Sequence, residues 1–272
     1  MAVLLTVTGV GGAMTHQDDR STDIAWEEWG HRDPYYGVIT DPKFRRSEMN
    51  EHIKREFFES GESHVHGILA TIRKHVDPGF APRTVLDFGC GVGRILIPFA
   101  RIADEVVGLD VSQSMLLEAR RNCDERELRN VSLLASDDTL TALNGSFDLI
   151  HSCIVFQHIP VERGRALFAK LLQHLRPGGV GAIQLTYSKT RFVLTHGIAP
   201  APPATMPAPG ASAQLVAGGA DPEIQMNPYN INEILFLMQC CGVQRFHVEF
   251  SDHGGELGIF LFFSATGPAI VI

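Results

Sequence analysis

The chain has 272 residues, of which 44% are apolar and 20% charged, and its formal net charge is −8. The apolar fraction is enough to build a buried core, which excludes a fully disordered chain. The acidic balance argues against a protein that binds nucleic acid through phosphates, and no apolar run reaches the roughly 20 residues that span a bilayer.

The N-terminal part is predicted to contain a leader and a helical cap. Residues 1–20 show no clear periodicity, and we expect a disordered leader there. Residues 21–80 are amphipathic and form the predicted cap. Within them Ser47–Gly61 and Ser63–Val76 carry apolar residues at helical spacing, which predicts two helices.

After Pro82, short apolar segments alternate with amphipathic ones. The predicted strands are Thr84–Gly89, Glu105–Val111, Asn130–Ser136, Phe147–Val155 and Val180–Ser188, and the predicted helices are Arg94–Ala103, Ser112–Asn122 and Glu162–Leu175. This alternation is typical of the α/β class, with a mostly parallel sheet and helices on both faces.

The C-terminal part interrupts this alternation and then resumes it. Ile198–Gly210 is rich in proline, which predicts an insertion or lid over residues 190–227. Asn230–Gly242 is predicted to be a helix. Val243–Phe250 and Glu256–Ala265 lie close together and predict a final antiparallel pair of strands.

The strongest functional signal is the segment VLDFGCGVGR, Val85–Arg94, which ends a strand and opens a helix. Gly89, Gly91 and Gly93 permit a tight turn and close approach of a ligand to the backbone. Nicotinamide, flavin and other nucleotide sites share such loops, so the glycines alone do not identify the ligand.

Two acids narrow the choice of ligand. Asp87 ends the first strand just before the glycines, where a carboxylate would repel a pyrophosphate but suits a cationic amino group. Asp110 ends the next strand, where an acid accepts hydrogen bonds from a ribose diol. S-adenosylmethionine carries an amine and a ribose and no phosphate.

In these residues the chain resembles the class I S-adenosylmethionine-dependent methyltransferase family, in its small-molecule branch. The resemblance implies a Rossmann-like sheet of seven strands in the order 3-2-1-4-5-7-6, with residues 81–272 as the cofactor-binding domain. It also implies that the loop cradles the methionyl part, that Asp110 holds the ribose, and that Met115 and Asp137 meet the adenine. The implied cofactor-binding residues are Asp87, Gly89, Cys90, Gly91, Gly93, Arg94, Asp110, Val111, Met115, Ser136, Asp137, Asp138, Cys153 and His158.

The acceptor side of the predicted site is less strongly marked. His158 and Tyr187 follow or end strands at the carboxyl edge of the sheet and are the candidate catalytic residues, with Tyr187 also a substrate contact. His151 lies inside a strand, where a buried, hydrogen-bonded histidine is expected. Tyr35 and Tyr36 belong to an aromatic segment with Trp26. This segment either packs the first helices on the sheet or closes over the acceptor together with the insertion.

The predicted function is methyl transfer to a small organic acceptor, with oxygen preferred over nitrogen or carbon. The chain has no NPPY or DPPY tetrapeptide after the fourth strand, which in this family marks methylation of amines on nucleic acid or of glutamine in protein. The five cysteines are an odd number without the spacing of a disulfide framework, which indicates reduced thiols and a cytoplasmic protein. They include no CxxC pair, so we expect no metal site. We therefore expect neither a nucleic-acid partner nor a membrane.

Two alternatives stay open. A non-catalytic member would bind S-adenosylmethionine or S-adenosylhomocysteine without turnover. A nicotinamide oxidoreductase would keep its nucleotide binding when Asp87 is replaced by alanine.

Overall fold

Seven strands form one sheet in the computed structural model, which describes residues 21–189, 221–222, 224–243, 245–252 and 256–264. The predicted leader and most of the predicted insertion lie outside these residues. The strands are β1 (Thr84–Phe88), β2 (Glu105–Asp110), β3 (Val131–Ala135), β4 (Phe147–Ser152), β5 (Leu175–Lys189), β6 (Phe246–Asp252) and β7 (Glu256–Ser264).

The strand order is β3-β2-β1-β4-β5-β7-β6, which confirms the predicted topology. Strands β1 to β5 pair in parallel, and β7 pairs antiparallel with both β5 and β6. The carboxyl ends of β1, β2 and β4 consequently meet at one edge, where open α/β sheets bind ligands.

The α-helices, in chain order, are α1 (Ser21–Arg32), α2 (Pro34–Val38), α3 (Glu51–His75), α4 (Leu96–Ala100), α5 (Gln113–Asp124), α6 (Val161–Gln173) and α7 (Ile231–Cys240), with 3₁₀ turns at Pro42–Phe44 and Phe156–His158. In the described part of the chain, none of the helices combines the length and the apolar character needed to cross a membrane.

Helix α3 corrects the prediction of two separate helices. It runs unbroken through Gly61, where a Cβ would collide with the main-chain carbonyl of Arg94. The glycine therefore lets α3 lie directly on the glycine loop and does not end the helix. The helix begins after Asn50, whose side chain accepts hydrogen bonds from the amides of His52 and Ile53, and not at Ser47.

Helix α4 is also shorter than the predicted Arg94–Ala103. The residues before it still belong to the turn of the glycine loop, in which the Gly93 amide donates to the carbonyl of Cys90 at 2.9 Å. The loop therefore takes up the first part of the expected helix.

The sheet separates two hydrophobic cores. Alternate strand residues face opposite sides, so that Val85 and Leu149 belong to one core and Leu86 and Ile150 to the other. Buried residues of α1 to α5 cover the first face, and those of α6 and α7 cover the second. This confirms helices on both faces and shows that the N-terminal helices share a core with the sheet.

Candidate cofactor and acceptor site

The carboxyl ends of the strands line a cavity of about 960 Å³, part of which is open to solvent. Most of the residues predicted to bind the cofactor lie in its wall, namely Asp87, Gly89, Cys90, Gly91, Arg94, Asp110, Val111, Met115, Ser136, Cys153 and His158.

The glycine loop is held against two strands. The amides of Gly89 and Cys90 donate to the carbonyl of Leu109 at 2.8 and 3.0 Å. Gly89 has a φ of 75°, and a Cβ at this position would collide with the side chain of Val155. A side chain here would push the loop away from β4, so glycine is required for this close approach.

Asp110 holds the tip of the loop through backbone donors. One carboxylate oxygen accepts from the Gly91 amide at 2.8 Å, and the other from the Ser112 amide at 2.9 Å. Burial raises the pKa of Asp110 to about 6, although these two hydrogen bonds oppose the shift. A ligand hydroxyl that donates to Asp110 would use the remaining lone pairs of its carboxylate.

Asp87 lies at the end of a chain of three side chains, of which His64 is half-buried and the other two are buried. Its Oδ1 is 2.8 Å from Nδ1 of His151, and Nε2 of His151 is 3.0 Å from Nε2 of His64 on α3. His151 is fully buried, as its place in the strand predicts. Burial lowers the pKa of His64, helped by the neighbouring His151 and Arg94, so this histidine is neutral.

The two cysteines in the cavity wall are not set up as nucleophiles. Burial raises the pKa of Cys153 to about 12 and that of Cys90 well above its usual range. Both thiols therefore stay protonated at neutral pH and contribute shape and polarisability to the cavity.

The loop after β4 contains a strained residue beside the cavity. Ile154 has a φ of 62°, which is unusual for a β-branched side chain. Its amide donates to Oε1 of Gln184 on β5 at 2.8 Å, and the same oxygen accepts from the Cys153 thiol at 3.4 Å. These hydrogen bonds to Gln184 stabilise the unusual backbone conformation of Ile154 at the cavity wall.

His158 is buried, and both of its ring nitrogens are engaged. Nδ1 is 2.9 Å from the carbonyl of Gln225, which requires a proton on that nitrogen. Nε2 lies 3.2 Å from Nε2 of Gln157. The Gln157 amide therefore donates a hydrogen bond to the one lone pair that the neutral imidazole has left. Because the nitrogen that could act as a base already accepts this hydrogen bond, the arrangement favours a positioning role for His158.

The end of the predicted insertion contacts both the cavity wall and the cap. The Asn227 amide donates to the carbonyl of Gln157 at 2.6 Å, next to the contact of Gln225 with His158. Asp221 forms an ion pair with Arg45 of the N-terminal region at 2.5 Å. The described residues of this segment thus join the two regions predicted to close the site.

The acids after β3 lie outside the cavity wall, although Ser136 is part of it. Asp137 is exposed and accepts from the amide and hydroxyl of Thr139 at 2.8 and 2.9 Å, so its carboxylate stabilises its own turn. Asp138 is also exposed and forms an ion pair with Arg163 at 2.5 Å. The structure therefore does not bring either side chain to the predicted adenine site.

The two tyrosines of the cap also lie outside the cavity wall. The Tyr35 ring packs edge-on against Phe57 and Phe58 and is buried in the first core. Its hydroxyl donates to Glu118 at 2.7 Å. The Tyr36 ring lies under the guanidinium of Arg45 at 3.3 Å. The cap reaches the cavity through other residues, which are Thr22, Asp23, Trp26, Gly37 and Val38.

Tyr187 and Gly93 face away from the cavity as well. Tyr187 lies where the β5–β7 register shifts, and its ring packs against Phe250 at 6.0 Å. The hydroxyl of the preceding Thr186 donates to Oε1 of Gln157 at 2.7 Å. A Cβ on Gly93 would meet Ile97 at 3.4 Å, so this glycine faces the helices beneath the loop.

Sequence reasoning missed several cavity residues because only tertiary packing brings them there. Asp23 has no local signal in the sequence and lies in the cavity wall, where it forms an ion pair with Arg163 at 2.6 Å. His64 lies outside the wall and reaches the site only through His151. The sequence did point to Trp26, because this residue belongs to the aromatic segment. Its ring lies 4.9 Å from that of His158.

Comparison with known proteins adds independent support to this geometry. Residues 85–179, which contain the glycine loop and β1 to β4, match a family model described as a methyltransferase domain. This segment is a class I S-adenosylmethionine-dependent methyltransferase domain. The resemblance to this family is thereby confirmed.

Relatives of this methyltransferase domain include two enzymes named for small molecules. Trans-aconitate 2-methyltransferase of Deinococcus radiodurans is 32% identical over 158 residues, which cover 49% of this chain and 56% of the relative. Aklanonic acid methyltransferase of a Streptomyces species is 37% identical over 95 residues, covering 33% and 43%. The chain therefore spans about half the length of the curated relatives it matches.

A solved structure shows the same fold at low sequence identity. Magnesium protoporphyrin IX methyltransferase from Synechocystis, with S-adenosylmethionine bound, matches with a TM-score of 0.60 and 17% identity, over 93% of this chain and all of that one. The match shows that the fold is shared over nearly the whole chain.

Proposed function

We propose that this protein is an S-adenosylmethionine-dependent methyltransferase that methylates an oxygen atom of a small organic acceptor. The observation that carries the proposal is the placement of Asp87 and Asp110 on either side of the glycine loop in one cavity. The family match and the named relatives support it.

The residues present fit the cofactor. Asp87 would hold the ammonium group, since His151 occupies Oδ1 and leaves the other carboxylate oxygen for a ligand. Asp110 would accept the ribose hydroxyls, and the buried Met115 supplies an apolar wall for a base. The loop between them carries glycines that admit a ligand to the backbone. When bound, S-adenosylmethionine would supply an activated methyl group.

The acceptor chemistry is inferred from the state of the cavity side chains. His158 has its basic nitrogen engaged by Gln157, and the thiols of Cys90 and Cys153 stay protonated. An acceptor that has already lost its proton at neutral pH needs no general base. Two of the matched relatives are named for organic acids, which supports a carboxylate oxygen as the acceptor atom.

The protein would act by alignment and by exclusion of water. Trp26, Gly37 and Val38 cover the cavity from the N-terminal side, and the strained Ile154 closes it beside β4. These walls can fix the acceptor in line with the methyl group and remove water from a reaction in which charge is lost. The predicted closure by the cap and residues 190–227 belongs to the same proposal.

Turnover is the direct test. The protein is incubated with S-adenosylmethionine and a panel of carboxylic acids, with the matching primary alcohols and amines as controls, and S-adenosylhomocysteine and methyl ester are measured by mass spectrometry. We expect product with at least one acid and none with its alcohol or amine.

Two other results separate the alternatives. Tight binding of S-adenosylmethionine without product from any acceptor of the panel would favour the non-catalytic protein. Binding of a nicotinamide nucleotide that persists in Asp87→Ala, with no binding of S-adenosylmethionine, would contradict the proposal.

A further inference from the structure

Strand β6 forms one edge of the sheet, and two of its exposed side chains are aromatic. Within the described ranges it pairs with β7 alone, and this pairing runs from Phe246 to Asp252 without a shift of register. Phe246 is 44% exposed and Phe250 is 72% exposed. Native sheets usually protect an edge with charges, proline or a bulge, whereas a regular edge with exposed apolar side chains favours association with another strand.

The two aromatic side chains lie on the same face of the sheet. Phe246 is opposite Phe263 of β7, and Phe250 is opposite Ile259. Both of these β7 residues are buried in the second core, and Val248 packs partly against it. Because side chains directly opposite each other share a face, an apolar row follows the edge on the side of the sheet that α6 and α7 cover.

The other face of β6 carries a histidine and an acid beside the same edge. His247 and Glu249 alternate with the apolar residues, and their own side chains contact each other at 3.4 Å. The ring of His75, at the end of α3, stacks on that of His247 with centroids 3.7 Å apart. The Thr71 hydroxyl donates to Glu249 at 3.2 Å. Helix α3 therefore fixes both polar side chains next to the edge.

We propose that β6 joins two copies of this chain into a two-fold dimer by forming an antiparallel pair of strands. A second copy is the partner because the strand is complementary to itself. When the two-fold axis passes through Val248, Phe246 of each copy lies opposite Phe250 of the other. In the same register His247 of each copy lies opposite Glu249 of the other. Pairs of aromatic residues and pairs of a basic with an acidic residue both stabilise neighbouring strands.

The neighbouring registers are less favourable. Side chains on the same face must meet, so the axis can move only from one residue to the next along β6. With the axis at His247, this histidine faces its own copy and the two aromatic residues are no longer opposite each other. With the axis at Glu249, two carboxylates face each other, which is destabilising. The register centred on Val248 is therefore the one that matches both faces of the strand.

This dimer would leave both cavities accessible. Strand β6 runs parallel to β5, since each of them is antiparallel to β7. The two-fold axis reverses the direction of the second sheet. The carboxyl ends of its strands, which line its cavity, consequently lie at the opposite end of the joined sheet. The inference goes beyond the proposed function and does not depend on it.

Sedimentation equilibrium of the full chain tests the apolar face. Phe250→Lys is compared with Leu117→Lys, a control that is 54% exposed on α5, which packs on β2 and β3 at the far edge of the sheet. We expect the wild type and Leu117→Lys to dimerise alike at high micromolar concentration. Phe250→Lys should raise the dissociation constant at least about 30-fold, because each dimer loses two aromatic pairs. Phe246→Lys removes the same pairs from their other end and should act in the same way.

A mixing experiment tests the polar face and the register. His247→Glu sets two acids opposite each other, and Glu249→Lys sets a lysine opposite a histidine. Each variant alone should dimerise more weakly than the wild type. An equimolar mixture should regain the dimer, because the new acid of one copy then meets the new lysine of the other. Circular dichroism and the melting temperature of each variant check that the monomer is folded.

Three results would contradict the inference. A wild type that stays monomeric would mean that another segment of this chain or a different partner covers the edge. A dimer that neither Phe250→Lys nor Phe246→Lys weakens would use another surface. A dimer that both substitutions weaken, but that the mixture of His247→Glu with Glu249→Lys does not restore, would contradict the antiparallel register that makes the strand complementary to itself. Binding of S-adenosylmethionine is unaffected by any of these outcomes, so the proposed function is tested separately.

Discussion

Asp87 and Asp110 end neighbouring parallel strands at the same edge of the sheet, yet the protein supports them in different ways. Asp110 is held by the amides of Gly91 and Ser112, which lie on the loop and the helix that follow the two strands. Asp87 is held by side chains that come from β4 and, through His64, from the N-terminal helix α3.

Two similar acids can therefore depend on different parts of the chain. The support of Asp110 is built into the backbone of the fold, so single side-chain changes elsewhere should affect it little. The support of Asp87 is a chain of side chains, which a single substitution can break. It also couples the cofactor site to the N-terminal helices.

The largest effect is expected from Asp87→Asn. The amide keeps the shape but removes the charge that would face an ammonium group. We expect the affinity for S-adenosylhomocysteine to fall about 100-fold, while that for 5′-methylthioadenosine changes little. Calorimetry with both ligands measures this. An equal loss for both would mean that the substitution disturbs the loop and not the ammonium contact.

The pKa of Asp110 predicts a pH dependence. The acid accepts hydrogen bonds from a diol best when it is ionised, and its pKa of about 6 is set by burial, with Asp87 and Glu27 as neighbouring acids. The affinity for S-adenosylhomocysteine should therefore fall about tenfold from pH 7 to pH 5. Calorimetry across this range should show a weaker and flatter profile for Asp110→Ala. The same slope in both proteins would assign the titration to another group.

The same pKa predicts the opposite pH dependence for the stability of the ligand-free protein. The pKa of Asp110 is higher in the folded protein than the ordinary value of 3.8. The folded state therefore binds this proton more tightly than the unfolded state. Through this group, the free energy of unfolding of the ligand-free protein should decrease as the pH rises from about 4 through about 6.

The smallest effect is expected from breaking the support of Asp87. His151→Leu removes the donor to this carboxylate and should weaken S-adenosylhomocysteine about fivefold, as for a neutral hydrogen bond. His151→Asn, whose amide can donate in its place, should stay close to the wild type. Binding of 5′-methylthioadenosine should be unchanged in both variants. If the leucine and asparagine variants bind equally, His151 serves packing alone.

Much of the fold followed from local patterns. The strands that alternate with helices and the final antiparallel pair are present in the structure, and so is the strand order that the family resemblance implied. The errors concern places where long-range packing overrides a local signal. Gly61 indicated the end of a helix, but it lies inside α3 because the helix must approach the carbonyl of Arg94.

In the site, too, local patterns predicted some residues correctly, and long-range packing decided the others. The loop glycines, Asp87 and Asp110 lie close together in sequence or at the ends of adjacent strands, so the pattern alone places them in one cavity. The tyrosines could not be placed in this way. Tyr35 and Tyr187 are amphipathic side chains on the N-terminal cap and on an irregular strand, and either a core or a cavity position satisfies them.

Local patterns in the sequence indicate the α/β sheet, the glycine loop and the two acids Asp87 and Asp110, because strand periodicity and backbone turns are local properties of a chain. Tertiary packing alone places His64 and His151 behind Asp87 and buries Arg94, whose Nε has no hydrogen-bond partner among the described residues. These arrangements depend on how α3 packs across the sheet, and the contacts of a packed helix join residues that no local pattern relates.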